Sequence, residues 1–135
     1  MEKKAGVWID KKKAQLVTFS GENVNIKILE SGIETFHPKG GTRSKDVFGP
    51  VITVKEKTYL EKEKRQHKKF FEEIFTAIKS MDYLVIMGPA LMKKELAKFI
   101  DNVNGPKPEL LDVQSADSMT ENQIVAEIKK AFRHF

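Results

Sequence analysis

The sequence predicts a mixed α/β domain, and three observations lead to this prediction. Short apolar runs alternate with polar turns over the first 30 residues, which is typical of antiparallel strands. From about residue 55 to residue 80 there is no Gly or Pro and much Glu and Lys, which indicates one long helix. The remainder alternates strand-like with helix-like segments. With 135 residues, we expect a single domain, 1–135, that is large enough to bury a core.

The first half of the chain predicts an antiparallel meander. Ala5–Ile9 is a short apolar run, and Leu16–Phe19 is a second one. In Val24–Ile28 the apolar residues alternate with polar ones, the period of a half-buried strand. Ile33–Phe36 and Val51–Val54 are further short extended candidates. Three strands joined by tight turns therefore come before the long helix.

The two halves of the long helix differ in composition. The C-terminal half has apolar residues at helical spacing, so it faces a core. Glu61–Lys69, EKEKRQHKK, has no hydrophobic residue. We therefore expect the N-terminal half to reach into solvent and to carry the loop at 37–50 near its projecting end. The core-facing residues are Phe70, Phe71, Ile74, Phe75 and Ile78.

The second half of the chain predicts two helices, each following a strand. Tyr83–Met87 is a continuous apolar run of the kind that is buried on both faces, and Gly88–Pro89 ends it and opens a helix with Pro89 in the first turn. The last strand contains Leu110, Leu111 and Val113. The stripe of the first helix comprises Leu91, Met92, Leu96, Phe99 and Ile100, and that of the final helix comprises Ile124, Val125, Ile128 and Phe132.

Two overlapping capping boxes, Ser118-x-x-Glu121 and Thr120-x-x-Gln123, are candidates for the start of the final helix. The resulting order is β-β-β-α-β-α-β-α. A meander followed by α/β crossovers predicts a mixed five-stranded sheet flanked by helices, the ribonuclease H-like arrangement.

Composition limits the class of protein. Hydrophobic residues make up 40% and charged residues 32%, as in ordinary soluble proteins. There is no run of 18 apolar residues and no apolar leader, so we expect a cytoplasmic protein without a membrane span. The chain has no cysteine, which excludes disulfides, thiolate catalysis and thiolate metal ligands.

The positive charge is concentrated in one quarter of the chain. Between His37 and Lys69 there are ten basic and four acidic residues, a net charge of +6, within a chain of net charge +5. Such a cluster favours a polyanionic partner. A solvated charged face is the alternative. The basic residues of this cluster that we expect at the interface are Lys39, Arg43, Lys45, Lys62, Lys64, Arg65, Lys68 and Lys69.

The loop HPKGGTRSKD, residues 37–46, combines glycines with basic side chains. Gly40 and Gly41 permit positive φ and close approach of another backbone, while the neighbouring Lys39, Arg43 and Lys45 neutralise phosphates. A surface loop without a binding role is the alternative.

Carboxylates and histidines do not form a recognisable catalytic or metal pattern. Asp10 ends the first strand, but a two-metal site needs further acids at the ends of neighbouring strands, so we expect Asp10 to be a turn residue. In a metal site, Glu72 or Glu73 of the long helix would supply a further carboxylate. The histidines lack metal-ligand spacing and are expected at the surface. These are His37, His67 and His134.

Two other features have structural and functional interpretations. Trp8 lies in a strand and is expected in the core, with edge exposure for base stacking as the alternative. Gly88-Pro89-Ala90 initiates a helix, and its free N–H groups are an alternative anion site.

Several motifs together resemble a known family. KGGTR at 39–43, LEKEKRQHKKFFEEI at 60–74 and VIMGPALMKKELAKFI at 85–100 resemble the middle domain of archaeal and eukaryotic class I peptide-chain release factors. SADSMTENQIVAEIKKAF at the C-terminal end resembles small bacterial proteins described as translational-machinery components. In release factors a Gly-Gly-Gln motif positions water for peptidyl-tRNA hydrolysis. The residue at the glutamine position here is Thr42, so the resemblance implies an RNA-facing shape without hydrolysis.

We therefore expect a non-catalytic module associated with RNA or the ribosome, with rRNA or tRNA as partner and no metal or cofactor. One alternative is an esterase-type hydrolase acting on peptidyl-tRNA through Thr42 or His37. Another is a protein-interaction module whose basic helix docks on an acidic partner or a membrane surface. The oligomeric state is left open. The expected interface comprises Lys39, Gly40, Gly41, Thr42, Arg43, Lys45, Lys62, Lys64, Arg65, Lys68 and Lys69.

Overall fold

The computed structural model describes residues 2–33 and 54–133. Five strands and three helices follow one another in the predicted order, β-β-β-α-β-α-β-α. The strands are β1 (Lys3–Ile9), β2 (Lys13–Ser20), β3 (Asn23–Glu30), β4 (Tyr83–Gly88) and β5 (Glu109–Ser115), and the helices are α1 (Val54–Ile78), α2 (Met92–Asp101) and α3 (Glu121–Phe132).

The five strands form one mixed sheet in the order β3-β2-β1-β4-β5. The meander supplies the antiparallel pairs β1–β2 and β2–β3, because tight turns return the chain directly. The crossovers through α1 and α2 place β4 parallel to β1 and β5 parallel to β4. The predicted ribonuclease H-like fold class, a five-stranded mixed sheet flanked by helices, is confirmed.

Each face of the sheet has its own hydrophobic core. Alternate residues of β1 point to opposite faces, so Val7 and Ile9 pack with α1 and α2 on one side. Trp8 and Val17 pack with α3 on the other side. Two helices therefore cover one face, while α3 covers the other. α3 packs tightly against β1, because a Cβ atom at Gly6 would overlap the Ile128 side chain.

The single helix α3 leaves part of its face open. A helix is about 10 Å wide and strands are about 4.8 Å apart, so one helix covers roughly two strands. On β3, Val24, Ile26 and Ile28 are paired with residues on the α3 side of β2 and are 40–42% exposed. The alternation predicted correctly that β3 is a strand, but the expected burial of its apolar side is wrong within the described structure.

Some local expectations are corrected. Val54 is the first residue of α1 rather than part of a strand. Leu91 is the N-cap of α2 and is 66% exposed, so it is not in the apolar stripe. Pro89 precedes the helix instead of lying in its first turn, because α2 begins at Met92. Ile33 is outside regular secondary structure, and the rest of the extended candidate Ile33–Phe36 lies outside the described residues.

The structure chooses between the two capping boxes. Thr120 is the N-cap of α3, and its Oγ1 accepts a hydrogen bond from Gln123 N at 3.2 Å. In return Thr120 N donates to Gln123 Oε1 at 3.0 Å. Ser118 lies two residues before the cap. The Thr120-x-x-Gln123 box is therefore the one that forms.

Candidate nucleic-acid interface

The C-terminal half of α1 anchors the helix to the sheet. Phe70, Phe71, Ile74 and Ile78 lie at helical spacing and are at most 6% exposed. They pack into the core that β1, β2, β4 and α2 also form. Phe75, which was predicted with them, is partly buried against the same core. The helical period thus predicted correctly which side of this half faces the sheet.

The basic residues of α1 are exposed on the opposite side of the helix. All five of the predicted helical interface residues have exposed side chains, and they span about 10 Å along the axis. In the part of the chain that the structure describes, no ion pair is found for Lys64, Arg65, Lys68 or Lys69. Their charge is therefore not neutralised within the described protein. The five residues, which we call the basic face, are Lys62, Lys64, Arg65, Lys68 and Lys69.

The side of α1 beneath the basic face touches the protein body through polar residues. Lys11 Nζ in the β1–β2 turn lies 3.7 Å from Glu63 Oε1. His67 Nε2 is also 3.7 Å from Glu63 Oε1, and His67 Nδ1 is 3.8 Å from Glu95 Oε2 on α2. The His67 ring has an edge contact with Phe71. The side chains of Glu63 and His67 are only 18% and 20% exposed.

These contacts correct the expectation that the whole N-terminal half of α1 reaches into solvent. The helix lies against the β1–β2 turn and α2 at Glu63 and His67, so at least this part of the half does not reach into solvent. Three residues before Glu63, Leu60 is 48% exposed. His67 is also not a surface histidine, since its Nε2 is buried and has no hydrogen-bond partner among the described residues.

A signal for these contacts is present in the sequence. Glu63, His67 and Phe71 are four residues apart, so they share one side of a helix. Because Phe71 faces the core, the two polar residues before it continue the same side toward the helix N-terminus. A count of hydrophobic residues does not detect that this side of α1 also faces the protein body at Glu63 and His67, because neither residue is apolar.

The carboxylates considered as metal ligands do not form a site in the described structure. Asp10 Oδ1 accepts hydrogen bonds from Lys12 N and Lys13 N, both at 2.8 Å, which is the turn role predicted for it. Glu72 and Glu73 are exposed on α1. Within residues 2–33 and 54–133 no group of three His, Asp or Glu side chains is arranged to hold a metal ion.

Trp8 is a core residue. It is 1% exposed, and its Nε1 donates to the Asp117 carbonyl at 3.3 Å. The alternative of an edge-exposed ring for base stacking is therefore wrong. Gly88 approaches β1 so closely that a Cβ there would overlap the Ile9 carbonyl. The buried Lys93 places its Nζ 2.6 Å from the Ala90 carbonyl, which it donates to.

One tyrosine has a perturbed acidity. The pKa of Tyr83, at the start of β4, is raised above its usual 10.0, chiefly because the negative charge of Glu2 disfavours the phenolate. A phenol that holds its proton more tightly is a poorer nucleophile at neutral pH. The shift therefore gives no sign of an activated phenolate at Tyr83.

The predicted loop residues Lys39, Gly40, Gly41, Thr42, Arg43 and Lys45 lie outside the described residues, as do His37 and His134. Their assignments remain predictions. Among the described residues, no helix is long and apolar enough to cross a membrane.

No protein-family model matches this chain. No curated protein matches it either. The fold does match solved structures. The Pelota protein of Thermoplasma acidophilum superposes with a TM-score of 0.57 at 15% sequence identity, over 95% of this chain and 32% of Pelota. A structure described as an archaeal protein matches with a TM-score of 0.53 at 15% identity, over 96% of this chain and 33% of that one.

A third match is the archaeal translation termination factor aRF1, with a TM-score of 0.49 at 14% identity, over 98% of this chain and 39% of that one. This similarity is too low to support an argument. The chain spans about a third of the length of Pelota and of the second archaeal structure. At 15% identity, these matches establish that this chain has a fold found within Pelota.

Proposed function

We propose that this chain is a non-catalytic module that binds RNA, on the ribosome or as tRNA, through the basic face of α1 and the loop at 37–46. It would act as a single domain that resembles the middle domain of archaeal and eukaryotic release factors. The loop would approach the RNA backbone at Gly40 and Gly41, with Lys39, Arg43 and Lys45 on phosphates. We further propose that it works in the cytoplasm as part of translation.

The observation that supports this proposal most is the basic face. Four of its five side chains have no ion-pair partner in the described structure, so their charges repel one another over about 8 Å. This distance is close to the Debye length at physiological salt, about 8 Å, so the repulsion is only partly screened. Phosphates would relieve it and would release their counterions on binding.

The fold adds support of a second kind. A protein named Pelota and this chain share the fold over nearly the whole chain, and the chain independently resembles release factors in its loop and charged-helix motifs. Thr42 is the reason for proposing binding without hydrolysis. Threonine lacks the side-chain amide of the glutamine that orients water in the family motif.

Fluorescence anisotropy with a short single-stranded RNA, together with co-sedimentation with ribosomes, tests the basic face directly. If five phosphates are contacted, affinity for the RNA falls by about a hundredfold between 50 and 200 mM salt. Replacing all five residues by glutamine should weaken this binding strongly and make its salt dependence much shallower, with only the contacts of the loop remaining. The five substitutions are Lys62→Gln, Lys64→Gln, Arg65→Gln, Lys68→Gln and Lys69→Gln.

A matched control removes the same charge elsewhere. Five other exposed basic residues lie on α2 or near the end of α3, and their replacement by glutamine should weaken binding far less. Equal losses in the two variants would show that net charge, not the basic face, drives binding. The control substitutions are Lys94→Gln, Lys98→Gln, Lys129→Gln, Lys130→Gln and Arg133→Gln.

Two further measurements separate the alternatives. Release of peptide from peptidyl-tRNA should stay at background for the natural chain, and release above background that Thr42→Ala removes would contradict the non-catalytic assignment. Ribosome capture should be lost after nuclease treatment. Capture that survives nuclease and high salt would point to a protein partner instead.

A further inference from the structure

Among the described residues, β3 combines an exposed apolar side with an edge that pairs with no further strand. Val24, Ile26 and Ile28 are 40%, 42% and 42% exposed on the face that carries α3. Their partners across β2 are Phe19, Val17 and Gln15, of which Val17 is fully buried under α3. Cover by α3 therefore stops between β2 and β3. We call Val24, Ile26 and Ile28 the β3 stripe.

The backbone N–H and C=O groups of the same three residues point away from β2, toward the open edge of the sheet. Ser31 N donates to Lys12 O in line with the β2–β3 register, so the odd-numbered residues of β3 exchange hydrogen bonds with β2. The even-numbered residues then direct their N–H and C=O groups outward. In the described structure β3 pairs with β2 alone.

The two edges of the sheet differ in protection. β5, the other edge, has an irregular register opposite Leu84 and Val85. It also carries Asp112, whose carboxylate accepts hydrogen bonds from Val113 N and from Gln114 Nε2, both at 2.8 Å. Such bulges and charges discourage pairing with another chain. β3 pairs with β2 without a register shift over eight residues and has no proline.

We propose that β3 pairs antiparallel with β3 of a second copy of this chain, with Ile26 facing Ile26 across a twofold axis. Val24 of each copy then faces Ile28 of the other, so three apolar cross-strand pairs form on one side. Each of these pairs uses the outward backbone groups and exchanges two hydrogen bonds. Cross-strand apolar pairs of this kind stabilise a sheet.

At the centre of the pairing, side-chain chemistry favours this register over its neighbours, while at each end Glu22 of one copy faces Glu30 of the other. On the opposite side it places Lys27 against Asn25 of the other copy. A shift by two residues in one direction would place Lys27 against Lys27, and like charges directly opposite are destabilising. A shift in the other direction would place Ile28 against Glu22. A shift by one residue would mix the apolar and polar sides.

The dimer would be a continuous ten-stranded sheet. The twofold axis is normal to the sheet, so both copies of α1 lie on the same face and their basic faces are presented together. The area buried by pairing along β3 alone is small compared with the roughly 800 Å² per partner of a standard interface. We therefore expect micromolar affinity and a dimer that forms with rising concentration. The pairing does not depend on the RNA-binding proposal.

Sedimentation velocity of the full chain from 1 to 300 μM tests the pairing, in 300 mM salt and after nuclease treatment so that bound RNA plays no part. The natural chain should shift from monomer to dimer with concentration. Ile26→Lys places two lysines on the axis and should weaken association at least tenfold. Leu91→Lys adds the same charge at an exposed apolar residue away from β3 and should leave association unchanged.

Cross-linking tests the register. Because the natural chain has no cysteine, Ile26→Cys provides a single thiol, and a short bismaleimide should link two copies efficiently. Cysteine at Glu109, on the other edge, should link poorly. A chain that stays monomeric at 300 μM, or a dimer that Ile26→Lys leaves intact, overturns the proposal. A monomer whose stability falls in Ile26→Lys would indicate that the stripe is covered within one copy, which also overturns it.

Discussion

The two halves of α1 are one continuous helix, but different interactions support them. The C-terminal half places Phe70, Phe71, Ile74 and Ile78 in the core. The N-terminal half has a basic outer side and touches the body through Glu63 and His67. The helix has 25 residues and is about 37 Å long. In the described structure the apolar core therefore holds the C-terminal half, while Leu60 in the N-terminal half is 48% exposed.

The largest expected difference between the halves concerns burial. Ile74→Ala should lower the free energy of unfolding by about 2–5 kcal/mol, because Ile74 is fully buried and the substitution leaves a cavity. Leu60→Ala should change it by less than about 0.5 kcal/mol, because Leu60 is 48% exposed. Urea unfolding followed by circular dichroism measures both. Similar losses in the two variants would show that the N-terminal half is also packed.

A proline substitution in α1 tests whether the first turns of the helix unfold separately from the rest, and it has the next largest expected effect on stability. Proline in the interior of a helix costs about 3 kcal/mol when the helix must stay intact. Leu60→Pro should cost less than about 1 kcal/mol of global stability, because the turns before residue 60 can unwind alone.

Urea unfolding gives the stability, and hydrogen exchange locates the change. Protection should be lost before residue 60 and kept from Phe70 to Ile78. A loss of stability near 3 kcal/mol would mean that the helical turns before residue 60 are coupled to the core.

The junction between the halves has a smaller expected effect. His67 Nε2 is buried without a hydrogen-bond partner among the described residues, and an unsatisfied buried polar group costs stability. His67→Leu should therefore leave stability unchanged or raise it by up to about 1 kcal/mol at pH 8. Thermal unfolding by calorimetry measures the shift. A clear loss would mean that the contacts with Glu63 and Glu95 are net stabilising.

The smallest effect on stability should come from the basic face itself. Lys68→Ala should change the free energy of unfolding by less than about 0.5 kcal/mol. The slope of log affinity for single-stranded RNA against log salt should become shallower by about 0.7. Anisotropy titrations at several salt concentrations measure this slope, with Lys98→Ala as the matched control. An unchanged slope would place Lys68 outside the interface.

The helical period in the sequence located the core side of α1 correctly, but it did not define the contacts at the junction. The charge count treated Glu61–Lys69 as one solvated segment. Lys11 lies about 50 residues before Glu63 in the chain, and Glu95 lies about 30 residues after it. Their proximity depends on how the β1–β2 turn and α2 pack, so the local pattern shows which side of α1 faces the body but does not identify Lys11 and Glu95 as the partners.

The helical part of the candidate interface lies within the described residues, and the loop part lies outside them. The five helical residues are exposed on one side of α1, whereas the lack of apolar residues in Glu61–Lys69 predicted that the whole segment reaches into solvent. Lys39, Arg43 and Lys45 remain predictions, since they lie outside the described residues. Their assignment depends on the loop composition and on the resemblance to release factors.

The sequence by itself determined the order of the elements and the side of each helix that faces the core, because both follow from residue periods within a few turns of chain. Only the tertiary structure decided that Thr120 rather than Ser118 caps α3, and that the His67 side chain is only 20% exposed. It also decided that the β3 stripe is exposed. That exposure arises because two helices cover one face of a five-stranded sheet and one helix covers the other, a difference in coverage that the alternation within β3 does not encode.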